Sequence, residues 1–258
     1  MLGKVEREHG LVLSSYKQPC LKRRLAVRMR ARGVHSYEAY ASLLDRAPDE
    51  YDLLLDALTI NVTRFFRNPE AWRALDAQVL GPLLAGPGRV AIWSAGCASG
   101  EEPYSLALQV AGRAAPRGAV PAARVRIDAT DLDPGAVAAL RRATYGAAAV
   151  TEVPAPLLRK FFSAGPPYAL DPAVAALVHP RVHDLTQDAP PQPPYHVIVC
   201  RNVVIYFDRA TQERLFLAFA DALVPGGHLF LGKVETLFGA ARQRFDLIEP
   251  RERLFRRL

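Results

Sequence analysis

A glycine-rich turn followed at once by two carboxylates is the stretch of this 258-residue chain that most clearly carries chemistry. In WSAGCASGEEPYS, Gly96 and Gly100 lie between a strand-like run and a helix start, and Glu101 and Glu102 open that helix. Glycine turns at helix N-termini usually receive phosphate, because their backbone N–H groups favour an anion. Two glutamates would repel a phosphate, and the turn lacks the motifs of dinucleotide and nucleoside triphosphate sites. The stretch therefore indicates a cationic ligand without phosphate. Glu101 is the acid expected to contact it, and Glu102 is expected to serve only as an acid in the first turn of the helix.

A second acidic loop, ATDLD, follows the next predicted strand. In doubly wound folds an acid at this place hydrogen-bonds the hydroxyls of a ribose. Asp131 is preferred for that role and Asp133 is the alternative, because Asp133 precedes Pro134 and suits the N-cap of a helix. A glycine loop, a ribose acid and no phosphate together favour S-adenosylmethionine, a nucleoside that carries a sulfonium cation.

These loops need a scaffold, and from about residue 71 onward the sequence predicts alternating strands and helices. Helices are predicted at 71–85, 101–114, 134–143 and 209–223, and they alternate with the strand candidates RVAIWSA, RVRIDATD, HPRVHDL, YHVIVCRN and HLFLGKV. Such alternation is typical of a parallel, doubly wound α/β sheet, in which ligands bind at the carboxyl ends of the strands. The final stretch, FDLIEPRERLFRRL, predicts a hairpin at the sheet edge, and residues 152–182 predict a small accessory element.

Residues 1–70 predict an all-helical N-terminal domain with a strongly basic helix. Ser36 is expected to cap the helix that follows the basic one. In CLKRRLAVRMRARG, apolar residues recur every four positions, and Arg24, Arg28 and Arg32 form a parallel stripe. No acid within the helix neutralises the stripe, so it predicts a docking face for an acidic partner; a solvated helix face is the alternative.

The composition of the whole chain limits the remaining classes. The net charge is +7, with 50% hydrophobic and 23% charged residues, which is ordinary for a globular protein. No apolar run is long enough to span a bilayer, and the charged start lacks the apolar region of a signal peptide. Three distant cysteines fit a reducing cytoplasm better than a disulfide framework. His179 and His183 lie in a strand-like segment, where their spacing does not suit a metal, so no metal site is expected.

Five segments match the motif pattern of one protein family, in the same order along the chain. They are NVTRFFRNP, WSAGCASGEEPYSLA, ATDLD, CRNVVIYFD and LVPGGHLFLG. With them, the sequence resembles the chemotaxis-receptor glutamate methyltransferases, the CheR family, over nearly its whole length. The resemblance implies a small helical domain at residues 1–70 and a Rossmann-like methyltransferase domain at 71–258. It also implies methyl transfer from S-adenosylmethionine to glutamate side chains of chemoreceptor helices.

The resemblance carries the cofactor contacts of the family onto named positions. Asp131, or alternatively Asp133, would hold the ribose. Asp184 and Leu185 stand where the family has Asn-Leu, and this departure leaves the adenine contact of Asp184 open. Gly96 is expected to let the backbone approach the nucleoside, as is Gly100. The other expected contacts are Asn61, Thr63, Arg67, Glu101, Asn202 and Val203.

Tyr206 corresponds to the family tyrosine near the transferred methyl group, and it is expected to steer the acceptor or line the methyl path. A glutamate with a pKa of about 4.3 is ionised at neutral pH, so the acceptor needs no general base. Arg67 is assigned to the carboxylate of the cofactor. The expected partner is the methyl-accepting cytoplasmic part of a chemoreceptor, docked on the arginine stripe. The enzyme is expected to be a cytoplasmic monomer that binds no nucleic acid and does not insert into a membrane.

Two departures and two rival interpretations accompany the resemblance. In LGKVETL, Lys233 and Val234 replace the His and Ser of the family, so no role of that loop is transferred. The accessory element is expected to be present without requiring a receptor peptide as a tether. The rival interpretations are a methyltransferase acting on RNA or a small molecule, and a non-catalytic protein that senses the cofactor or a receptor.

Overall fold

Three helices around a small apolar core form the first part of the fold. The computed structural model describes residues 13–47, 49–59, 61–114 and 124–258. The three helices are α1 (Gln18–Ala31), α2 (Tyr37–Arg46) and α3 (Asp49–Leu58). The apolar residues that recur every four positions in α1 are buried, and the Ser36 hydroxyl accepts a hydrogen bond from the Ala39 N–H at the start of α2, as predicted. The first twelve residues of the predicted helical domain lie outside the described part of the chain.

Within the described residues, a mixed sheet of seven strands forms the centre of the second part, beside a small sheet of two strands. The strands are β1 (Val90–Ala95), β2 (Val125–Asp131), β3 (Thr144–Tyr145), β4 (Tyr168–Ala169), β5 (Val178–Val182), β6 (Tyr195–Cys200), β7 (Leu223–Leu231), β8 (Phe245–Glu249) and β9 (Leu254–Arg257). The order in the large sheet is β5-β2-β1-β6-β7-β9-β8, parallel from β5 to β7, with β9 antiparallel to β7 and β8. The doubly wound sheet and the edge hairpin are confirmed.

Helices cover both faces of the large sheet. They are α4 (Pro69–Leu75), α5 (Gly81–Ala85), α6 (Glu101–Ala114), α7 (Pro134–Arg142), α8 (Ala155–Phe161), α9 (Pro172–Ala175), α10 (Arg209–Ala222) and α11 (Gly239–Arg242). A π-helical turn, Asp76–Leu80, joins α4 to α5, so the helix predicted at 71–85 has one widened turn. Phe65, Phe66 and Trp72 pack in the core on one face, and Trp93 packs in the core on the other. None of the helices in the described ranges is long and apolar enough to cross a membrane.

The strand order places a topological switch between β1 and β6. The chain moves outward from β1 to β2 and β5 on one side, whereas β6 and β7 extend the sheet on the other side. The loops after β1 and β6 therefore diverge and leave a crevice at the carboxyl ends of the strands. The accessory element beside the sheet consists of β3, β4, α8 and α9.

Candidate active site

Two adjoining cavities open at the carboxyl ends of β1, β2 and β6, at the predicted edge of the sheet. We call the one toward β2 and β5 the acidic cavity, because Asp131 and Asp184 line it. The other is the basic cavity, because Arg67 and Arg201 line it. Five residues line both cavities, and they are Gly96, Ala98, Asn202, Val203 and Tyr206.

Asp131 ends β2 and faces the acidic cavity. One carboxylate oxygen accepts the Ala98 N–H at 2.8 Å, and the other accepts the Asp133 N–H at 3.0 Å. Burial raises the pKa of Asp131, while hydrogen bonds from these two N–H groups oppose the shift. Asp133 instead caps α7 by accepting two backbone N–H groups of its first turn, and it also accepts the amide of Asn61. Of the two acids considered for the ribose, Asp131 is the one that lines the cavity.

Asp184 and Leu185 line the acidic cavity from the loop after β5. One Asp184 carboxylate oxygen accepts the N–H and the hydroxyl of Thr186, both at 2.7 Å. That oxygen is held within its own turn, so the second oxygen is the acceptor that this position offers to a ligand. The wall also contains Leu132, His183 and Phe207, which lie in the loops that follow the predicted strands. Tyr16, Leu58 and Thr59 line it as well, and the sequence did not single them out for this site.

Three arginines with different surroundings line the basic cavity, together with Thr63. Arg64 forms an ion pair with Glu152 at 2.8 Å. Arg201 is buried; its guanidinium donates to the Arg67 carbonyl at 2.9 Å and to the Asn68 side chain at 3.1 Å. The guanidinium also lies 4.7 Å from the centroid of the Phe230 ring. The Arg67 side chain donates only a long hydrogen bond, 3.3 Å, to a backbone carbonyl, and no acid of the described residues lies within ion-pair distance of it. Arg67 is therefore the cation here that can bind an anionic ligand group.

The two glutamates that open α6 face different surroundings. Glu102 lines the basic cavity, whereas Glu101 is not among the residues that line either cavity. The Glu101 carboxylate accepts the Ser99 hydroxyl at 2.7 Å, and the Glu102 carboxylate accepts the Ser94 hydroxyl at 2.8 Å. The interpretation of Glu102 as only a helix-start acid is therefore wrong, and a cofactor contact by Glu101 stays a prediction.

The two glycines of the turn serve different purposes. Both have a positive φ, 82° at Gly96 and 102° at Gly100. A Cβ on Gly96 would lie 2.5 Å from a methyl carbon of Val203, so this glycine lets the loops after β1 and β6 meet inside the crevice. A Cβ on Gly100 would lie 2.6 Å from Leu140 and 2.9 Å from the Tyr145 hydroxyl. Gly100 therefore lets the turn pack against α7 and the start of the accessory element, and its approach to a nucleoside stays a prediction.

Comparison with known proteins identifies the family to which this chain belongs. Residues 61–254 match the family model described as CheR methyltransferase, SAM binding domain, and residues 1–59 match that of CheR methyltransferase, all-alpha domain. The chain belongs to the CheR methyltransferase family. It is similar to the chemotaxis protein methyltransferase of Listeria innocua, at 34% identity over 92% of this chain and 88% of that protein. It is also similar to the probable chemotaxis protein methyltransferase of Rhizobium etli, at 34% identity over 93% of this chain and 92% of that protein.

Membership of the CheR family makes the protein an S-adenosylmethionine-dependent protein-glutamate O-methyltransferase of chemotaxis. Its two cavities suit the two ends of this cofactor. The nucleoside end carries a ribose diol, and the Asp131 carboxylate at the end of β2 is the acceptor that doubly wound folds use for it. The amino-acid end carries a carboxylate and an ammonium group, for which the basic cavity offers Arg67 and Glu102. Asn61, Asp184 and Leu185 line the acidic cavity, and Thr63 lines the basic cavity; their contacts with the cofactor stay predictions.

Glu235 fixes the turn through which this CheR methyltransferase brings Asn202 and Val203 to the cavities. Its carboxylate accepts the N–H groups of Asn202 at 2.9 Å, Val203 at 3.0 Å and Gly232 at 2.6 Å. Asn202 has a φ of 62°, a left-handed conformation that these bonds hold in place. The LGKVETL motif departs from the family just before Glu235. This acid nevertheless stabilises the turn that lines the site. No local pattern marked it, because its partners in the turn lie more than 30 positions away.

The arginine stripe of α1 contacts the neighbouring helix α3. Arg28 forms an ion pair at 2.9 Å with Glu50, a buried acid of α3, and Arg32 lies 3.4 Å from the same carboxylate. Arg24 donates to a carbonyl of α3 at 2.6 Å, and its guanidinium lies 5.8 Å from the centroid of the Tyr206 ring. The expectation of an unneutralised face is wrong for Arg28 and Arg32, because they share an acid of the neighbouring helix. Docking of a partner on the stripe stays a prediction.

The buried carboxyl group of Glu102 makes stability depend on pH. Burial raises the pKa of Glu102 to about 7, against the opposing charge of Arg201 and the hydrogen bond from Ser94. In the unfolded chain a glutamate titrates near pH 4.3, so the folded state binds the extra proton between about pH 4.3 and pH 7. The stabilisation by this proton is complete below about pH 4.3 and is lost as the pH rises through about 7.

We therefore expect Glu102→Gln, which keeps the neutral shape, to gain at least about 1 kcal/mol in free energy of unfolding relative to the wild type between about pH 5 and about pH 8. Urea denaturation at both pH values measures this difference. Glu38→Gln, on the exposed side of α2, is the control. An identical pH dependence in the wild type and in Glu102→Gln would contradict the assignment.

Proposed function

We propose that this enzyme methylates glutamate side chains on the signalling helices of chemoreceptors, with Tyr206 beside the reacting groups. The observation that carries the proposal is that Tyr206 lines both the acidic and the basic cavity. S-adenosylmethionine supplies an electrophilic methyl group on the sulfonium that joins its nucleoside and amino-acid ends. A side chain at the junction of the two cavities is therefore next to the transferred methyl group.

Tyr206 acts as a hydrogen-bond donor in this proposal. Burial raises the pKa of its hydroxyl above the ordinary value, so the group keeps its proton at neutral pH. It can then orient the incoming carboxylate of the acceptor without removing a proton from it. The acceptor glutamate, with a pKa of about 4.3, is already ionised. Rate enhancement would come from alignment, which can supply roughly 7–11 kcal/mol, and from the exclusion of water around the two reactants.

The test is transfer of a radiolabelled methyl group to a purified chemoreceptor cytoplasmic fragment, with RNA and the receptor fragment carrying Glu→Gln changes as controls. We expect label on the receptor fragment that is released by base, as a methyl ester requires. Label on RNA would show that the acceptor is RNA and not a receptor. Cofactor binding without transfer to either acceptor would favour a non-catalytic sensor.

Exposed basic residues of α1 outside the stripe are the docking groups in this proposal. Arg23 and Arg30 are exposed, unlike Arg24 and Arg28. Rim charges of this kind mainly set association rates with an acidic partner. We expect the double change Arg23→Glu/Arg30→Glu to lower kcat/KM for the receptor about three- to tenfold at low salt, with a smaller effect at high salt. Affinity for S-adenosylhomocysteine should stay unchanged.

The control for docking is Arg251→Glu, on the exposed turn of the edge hairpin. Equal receptor kinetics in this variant and in the double variant would remove α1 from the docking surface. We further propose that the enzyme is a cytoplasmic monomer that needs no peptide tether. The small accessory sheet supports the last point, since in the described residues it consists of two strands of two residues each.

A further inference from the structure

The segment Leu13–Lys17, here called the strap, leads into α1 and pairs with the loop that carries Tyr206. Two backbone hydrogen bonds of 2.9 Å, one in each direction, join the strap to the segment Tyr206–Asp208. Between them, Tyr16 forms a β-bridge with Phe207. The strap is therefore held on both sides of Tyr16, and this residue has a fixed place beside the crevice.

Tyr16 projects into the wall of the acidic cavity. Its ring packs edge-on against Phe207, with the ring centroids 4.8 Å apart. Burial raises the pKa of the Tyr16 hydroxyl, and the negative charges of Asp184 and Asp131 raise it further. A neutral phenol thus lies within electrostatic reach of both acids at the nucleoside end, and at neutral pH it can donate a hydrogen bond.

We propose that Tyr16 is a binding residue for the nucleoside of S-adenosylmethionine, to which its hydroxyl donates a hydrogen bond. The strap then brings a side chain that precedes the helical domain's first long helix into the cofactor site of the methyltransferase domain. This inference rests on the cofactor site that the proposed function uses, and it is independent of the methyl acceptor.

The decisive variant is Tyr16→Phe, which keeps the ring and its packing on Phe207. Calorimetric titration would use S-adenosylhomocysteine and 5′-methylthioadenosine, which retains the nucleoside and lacks the amino acid. We expect Tyr16→Phe to weaken both ligands about tenfold, the size expected for one lost hydrogen bond. Tyr37→Phe, exposed on α2, is the matched control and should bind both ligands as the wild type does.

Unchanged affinity for both ligands in Tyr16→Phe would overturn the inference. So would a loss confined to S-adenosylhomocysteine, because the hydroxyl would then act at the amino-acid end. In the proposed function the acceptor is tested separately. If no receptor is methylated but Tyr16→Phe weakens both ligands, the acceptor class fails and the nucleoside contact stands.

Discussion

Gly96→Ala is expected to abolish cofactor binding and to lower the free energy of unfolding by about 2–4 kcal/mol. Two costs combine at this position. The backbone has a φ of 82°, which disfavours any residue with a Cβ, and the added carbon would lie 2.5 Å from Val203. Rotation of the Val203 side chain does not relieve the clash, because both methyl carbons and Cβ lie within 3.2 Å of the added carbon, and Glu235 holds the Val203 N–H at 3.0 Å. The clash therefore displaces the loops that line both cavities.

The matched control for this variant is Gly165→Ala. Gly165 has a φ of 78°, but no atom lies within 4 Å of the position that a Cβ would take. Gly165→Ala should lower the free energy of unfolding only by the cost of a positive φ, about 1–2 kcal/mol, and should keep the affinity for the cofactor. Urea denaturation and titration with S-adenosylhomocysteine measure both properties. If Gly96→Ala binds the ligand as well as Gly165→Ala does, the two loops are not locked together as described.

Arg67→Ala should raise the Kd for S-adenosylhomocysteine about 10- to 100-fold, the range expected when a hydrogen bond to a charged group is lost. Arg67 lines the basic cavity, and within the described chain no carboxylate pairs with it. Its guanidinium is therefore available to the carboxylate at the amino-acid end of the ligand. Affinity for 5′-methylthioadenosine, which lacks that carboxylate, should be unchanged.

Arg73→Ala is the control for Arg67, because its side chain is 71% exposed and pairs with Glu70 on the surface. It removes the same charge from the same region without touching either cavity. Calorimetry on both variants with both ligands gives the comparison. Unchanged S-adenosylhomocysteine affinity in Arg67→Ala would contradict the assignment, and an equal loss of both ligands would move Arg67 to the nucleoside end.

The sheet and its main helices were predictable because the signals for them are local. Short apolar runs alternate with helical stretches, and each run became a strand of the predicted sheet. The helix at 101–114 was predicted with its observed bounds, since the glycine turn marks its start.

Contacts between distant residues account for what the sequence did not predict. Glu50, the acid that pairs with Arg28 and Arg32 of the stripe, follows Arg28 by 22 positions and belongs to another helix. Leu140 fills the space at Gly100, and no pattern near the turn indicates it. Which of Glu101 and Glu102 faces the cavity depends on the rotation of α6, because neighbouring helical residues point about 100° apart. Local patterns cannot supply these relations.

The pairing of the strap has a consequence for how the protein is made. The Lys17 ammonium donates to the Ile205 carbonyl at 2.9 Å, across 188 positions of the chain. During synthesis the helical domain leaves the ribosome early and domains fold as units, N-terminal ones first. The loop with which the strap pairs emerges only after β6 has been made. A nascent chain that stops before this loop lacks Tyr206 and Phe207, so the wall around Tyr16 is incomplete. The wall of the acidic cavity is thus completed late in synthesis, when the strap and this loop have paired.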